Sequence, residues 1–128
     1  MGRTSRLEKP SRPRGGGTST SQGRPYSIFR RALERWNLLV AEATAKELPP
    51  LNLTDALELT ILIARKEPRR HPRVAARWLL RYLEECGDAT IDEAVMVAAC
   101  LAALAGDRHG DAAPTLRAMA ERATRGSM

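Results

Sequence analysis

The chain is 128 residues long, which fits one domain and excludes most multi-domain enzyme architectures. Hydrophobic residues make up 43% of it but aromatic residues only 4%, so a core must be built from Leu, Ala, Ile and Val. The formal charge of +6 is unevenly placed: residues 1–31 hold eight basic groups against Glu8 alone, whereas residues 32–128 hold 13 basic and 14 acidic groups.

Residues 1–25 are expected to form a disordered basic arm. Glycines 15–17, Pro10, Pro13, Pro25 and a Thr18–Ser21 tract leave Leu7 as the single aliphatic residue after Met1. Such a segment buries too little apolar surface to offset its ordering entropy. The glycine run is no phosphate loop, because no strand precedes it and no Gly-Lys-Ser/Thr follows. No apolar segment follows the basic start, so no secretory signal is expected.

A first helix is predicted from Tyr26, with Ser27 as its cap, to the stop at Pro49-Pro50. Ile28, Phe29, Ala32, Leu33, Trp36, Leu39, Val40 and Ala43 recur there at spacings of three and four. A second helix, about Leu53–Lys66, is capped by Asn52 and closed by Pro68. Leu53, Leu57, Leu59, Ile61, Leu62 and Ile63 cover most of its circumference, which predicts that it is largely buried. A third starts at Pro72 and ends at Gly87, a natural residue beyond a helix C-terminus. A fourth opens on the capping-box pattern Thr90-Ile91-Asp92-Glu93 and runs to Ala105. Its uncharged run Ala94–Ala105 is shorter than the ~20 residues a membrane span needs, so no membrane contact is expected. A fifth helix spans about Asp111 to Thr124, with Pro114 tolerated in its first turn. No stretch alternates with a period of two. The expected fold is all-α over residues 26–125: five helices in a compact bundle of antiparallel helical hairpins.

An internal near-repeat supports that layout. Residues 52–57 can be laid over residues 90–95, an offset of 38. Leu59 then meets Val97, Ile63 meets Leu101, Ala64 meets Ala102, and Arg70-His71 meets Arg108-His109. After one deleted residue, Leu79 meets Leu116, Tyr82 meets Met119 and Glu84 meets Glu121. Over residues 52–124 this resembles, in layout only, the two-helix units of HEAT and tetratricopeptide proteins, without the tetratricopeptide signature positions.

The candidate interaction surface is a basic cluster. Between residues 65 and 81 lie Arg65, Lys66, Arg69, Arg70, Arg73, Arg77 and Arg81, opposed by Glu67 alone. Arg73, Arg77 and Arg81 form one helical stripe, with Val74, Ala75, Trp78, Leu79 and Tyr82 on the other side. Such a stripe suits phosphates or an acidic partner. The alternative is a solvated face paired with Glu84, Glu85, Asp88, Asp92 and Glu93. Arg3, Arg6, Arg12, Arg14 and Arg24 are candidate arm contacts. With one Gln, two Asn and no stacking aromatic on the stripe, base-specific reading is not expected, and nucleic acid is held at most by non-specific electrostatics.

Catalytic parts are wanting. His71 and His109 are expected in turns or caps, Glu58 on a narrow exposed strip or paired with an Arg, and Thr60 and Cys100 in the core. No Ser–His–acid or metal-ligand spacing is present, so neither enzyme activity nor a cofactor is expected. Cys86 and Cys100 lack a CxxC partner and read as free thiols of a reducing, cytoplasmic compartment. Arg in preference to Lys, with abundant Ala, Gly and Pro, suggests a GC-rich bacterial coding sequence.

The sequence thus points to a non-enzymatic helical module that binds an unidentified protein partner. The alternative is a nucleic-acid-associated accessory protein. A small-molecule sensor is a third reading, requiring an apolar pocket lined by Trp36 or Trp78. The apolar second and fourth helices also leave room for a homodimer.

Overall fold

A computed structural model describes residues 17–126 of the chain. Among them the backbone forms six α-helices and no strand: α1 Gly17–Glu34, α2 Leu38–Glu47, α3 Leu53–Lys66, α4 His71–Cys86, α5 Ile91–Ala103 and α6 His109–Gly126. The all-α expectation holds. The count of five does not, because the predicted first helix is two.

The break falls at Trp36, whose φ of 58° places it in the left-handed region. Trp36 N–H donates to Leu33 O at 3.1 Å and Asn37 N–H to Ala32 O at 2.9 Å. This is the Schellman pattern of a helix C-terminus, with Trp where Gly is usual. The Asn37 side chain then accepts from Val40 N–H at 3.2 Å and caps α2. The apolar spacing runs through the turn unchanged, so periodicity alone sees one helix. The start differs as well. α1 begins at Gly17, with Pro25 and Ser27 inside it, so Ser27 is not a cap. Residues 1–16 of the expected arm lie outside the described residues.

The remaining caps follow the sequence. The Asn52 side chain accepts from Asp55 N–H at 2.8 Å to start α3. Gly87, at φ 76°, ends α4. Thr90 Oγ accepts from Glu93 N–H at 3.1 Å to start α5. Glu93 does not turn back to Thr90 for the reciprocal bond. Its carboxylate accepts instead from the buried Tyr82 hydroxyl, at 2.5 Å, and so joins the start of α5 to the end of α4.

Two apolar clusters share α3. Leu53, Leu57 and Ala64 face the larger one, with Trp78 and Tyr82 of α4, Val97 and Leu101 of α5, and Leu116, Met119 and Ala120 of α6. Leu62 and Ile63 face the smaller one, with Phe29 and Ala32 of α1 and Leu38 and Ala41 of α2. A helix that is apolar all round needs cover all round. α3 has it, as its sequence predicts.

α5 has cover on one side only. Val97 and Leu101 are buried, but Ile91 is 82% exposed and Val95 61%. Their counterparts at the offset of 38, Leu53 and Leu57, are fully buried. At these two positions the near-repeat is therefore not repeated in burial.

Candidate functional site

The predicted basic cluster divides when its side chains are placed. Arg65 reaches the end of α5, where Nη1 donates to Leu104 O at 3.2 Å and Gly106 O at 3.4 Å, occupying terminal carbonyls that lack helical partners. Arg70 grips Glu42 of α2 at 2.5 and 3.0 Å and Glu67 at 2.8 Å. The Arg70 hydrogen bond holds the Glu42 carboxyl below its ordinary pKa, and Glu42 and Glu67 raise that of Arg70. Arg81 pairs with Glu85 at 2.7 Å, one turn on. These three arginines are structural. Of the acids weighed as counter-ions for the stripe, Glu85 is the one that serves.

Lys66, Arg69, Arg73 and Arg77 are left exposed, with no ion pair among the described residues. Arg69, Arg70, Arg73 and Arg77, with Pro72 and Val74, line a cleft of about 570 Å³. The first turn of α4 has no acidic residue and no side-chain cap. Cations there sit at the positive end of the helix dipole, an unfavourable placement for stability. Of the arm candidates, Arg24 is exposed on α1. Arg3, Arg6, Arg12 and Arg14 lie outside the described residues.

Beside this basic end lies an apolar face that no short motif announces. α4 and α5 run antiparallel: His71 Nε2 donates to Leu101 O at 2.7 Å at one end, and Tyr82 meets Glu93 at the other. Between these ties, Ala76, Leu79, Leu80 and Leu83 present one side of α4, at spacings of three and four. Ile91, Val95, Ala98 and Ala102 present the adjoining side of α5. An apolar groove of about 360 Å³ runs between the helices, lined among others by His71, Ala76, Leu79, Ala98 and Ala102. Leu80 is 59% exposed and Met96 46%. Beyond the groove the face turns acidic: Glu84, Asp88 and Asp92 are exposed and carry no ion pair among the described residues. The surface is basic at one end, apolar in the middle and acidic at the other.

The other candidates settle into structural places. Glu58 is bound by Arg117 at 2.7 and 3.0 Å, tying α3 to α6. Asp55 is buried and accepts from the Tyr26 hydroxyl at 3.0 Å and from Arg30 at 3.1 Å, fastening α1 to the start of α3. Burial, and then this bond to Asp55, raise the pKa of Tyr26. His109 is the first residue of α6, where its Nδ1 meets Gly106 O of the preceding turn at 3.0 Å. His71 is buried at the first residue of α4, and its Nδ1 has no partner among the described residues. Since Nε2 faces a carbonyl, which only accepts, it is Nε2 that carries the proton. Thr60 is buried and donates to Ala56 O. Cys86 and Cys100 are free and half-buried.

Trp78 is buried and donates to Leu53 O at 3.0 Å. The groove it touches, about 220 Å³, is below the usual ~300–1,000 Å³ of small-molecule pockets. Among the described residues no three His, Cys, Asp or Glu side chains gather as a metal set, and no helix is long and apolar enough to cross a membrane. No protein-family model matches the chain, and neither a curated protein nor a solved structure matches it.

Proposed function

We propose that the protein is a non-enzymatic helical module that docks a protein partner through the face shared by α4 and α5. The observation that carries this reading is the exposure of Ile91, Val95 and Leu80 on adjoining helices, around a groove of small side chains. Scattered exposed apolar residues need no explanation, whereas a contiguous face bordered by charge marks an interaction site. Free Cys86 and Cys100 favour work in a reducing cytoplasm. A two-unit helical-repeat layout over residues 52–124 belongs to the same reading, supported by buried counterparts such as Ile63 with Leu101 and Tyr82 with Met119. A photo-activatable benzophenone side chain introduced at residue 95 of the full chain, in cells, tests docking. The expected result is a discrete protein adduct there and none from the same group at exposed position 122. No adduct at position 95 rejects the docking site.

A second reading rests on a different observation: Lys66, Arg69, Arg73 and Arg77 carry no ion pair among the described residues, and the three arginines line the cleft at the start of α4. This surface suits phosphate oxygens, with Arg24 and the N-terminal arginines adding charge. It predicts a mobility shift on DNA or RNA that fades steeply with salt, with the salt slope reduced by about one for each of Arg73→Ala and Arg77→Ala. No shift at low salt removes this reading.

A further inference from the structure

The face on α4 and α5 has an order to its charges. Arg69 and Arg73 stand at one end, with Glu84 and Asp88 at the other. The Trp78–Leu79 step lies half-way between Arg73 and Glu84, and the same step lies half-way between Arg69 and Asp88. On the neighbouring helix, the ties His71–Leu101 and Tyr82–Glu93 bring Val95 to this level. A two-fold axis at the level of Leu79 and Val95, perpendicular to the helices, therefore exchanges the basic end with the acidic end. It also carries the apolar middle onto itself.

We infer that the partner on this face is a second copy of the chain, docked antiparallel about that axis. The inference rests on the docking reading above and names its occupant. A two-fold interface must be self-complementary, each patch meeting its own image. Here the requirement is met in both charge and hydrophobicity. Arg73 and Arg69 face Glu84 and Asp88 of the second copy, which supplies the counter-ions those four groups lack among the described residues of one chain. Leu79, Leu80, Val95 and Ile91 are removed from water around the axis. Ala76, Ala98 and Ala102 are small enough for the helices to approach closely. A parallel arrangement would set like charge on like and is disfavoured for that reason. The pairing also accounts for α5. It is more apolar than α3, and the second copy covers the side that the fold leaves open.

Charge-swapped copies of the full chain test this by sedimentation. One copy carries Arg69→Glu and Arg73→Glu, the other Glu84→Arg and Asp88→Arg. All four positions are exposed, and the changes in α4 complement its dipole, so both copies are expected to fold. Wild type is expected at twice the chain mass. Each swapped copy alone is expected to associate at least about tenfold more weakly, because like charges then meet. An equimolar mixture is expected to recover the doubled mass, because both ends become complementary. Wild type at one chain mass throughout, swapped copies that associate as wild type does, or a mixture that fails to recover would each overturn the dimer. The adduct at residue 95 separates the two levels of the proposal. A mass other than twice the chain leaves docking standing and overturns the dimer, whereas no adduct overturns both.

Discussion

Trp36 is the residue the local rules would not place where it is. A bulky side chain at φ 58° is disfavoured by about 1–2 kcal/mol against the right-handed region, and Gly escapes most of this. The indole is half exposed and belongs to neither apolar cluster. Trp36→Gly is therefore expected to stabilise the folded chain by about 1 kcal/mol in urea denaturation; a loss of stability would show that indole packing outweighs the backbone cost. Tyr82 carries a different signature. Burial first, then its bond to Glu93 and the neighbouring Cys86, push its phenol well above the ordinary 10.0. A group whose folded pKa is raised contributes stability that is complete below its unfolded pKa and is lost as pH rises beyond it. Stability is thus expected to fall as pH climbs above 10, and Tyr82→Phe to flatten that fall. An identical alkaline slope in the variant would remove Tyr82 as its cause.

At the scale of the element, helix starts and stops were legible where a side chain has one local job. Asn52 and Thr90 cap, Pro72 opens and Gly87 closes, as those residue types dictate. The break at residues 35–37 was not legible, because its Schellman turn uses Trp and the apolar spacing continues across it. The roles within the basic cluster were not legible either. Arg65 and Arg70 find partners 39 and 28 residues away in sequence, and no local pattern encodes such pairings. α3 and α5 look alike as strings, and tertiary cover separates them. Leu57→Ala is expected to cost about 2–5 kcal/mol, as large-to-small changes in cores do. Val95→Ala, the near-repeat counterpart, is expected to cost under about 0.5 kcal/mol in dilute solution, as exposed changes do. Chemical denaturation of the two variants measures this, and equal losses would mean that α5 is covered within one chain.

For the whole molecule, the charge of +6 is a sum over parts with different work. The N-terminal 31 residues carry the excess, and the remainder is nearly neutral but polarised along α4. Pairing within the chain consumes Arg65, Arg70, Arg81 and Arg117 and leaves two ends of opposite sign on one face. The apolar character of that face was legible in the uncharged run Ala94–Ala105. Its position beside Leu79 and Leu80 required the antiparallel packing of α4 on α5. Salt screens exposed charge beyond about 8 Å at physiological strength, so end-to-end pairing weakens with salt while the apolar centre does not. Sedimentation equilibrium of the full chain over a concentration series, beside Val95→Glu, addresses the docking of that face most directly. Covering α5 with a second copy predicts that wild type moves from one chain mass to two as concentration rises, while Val95→Glu stays at one with unchanged helical content. A wild-type chain that stays at one mass at every concentration, or a variant that dimerises equally well, contradicts it.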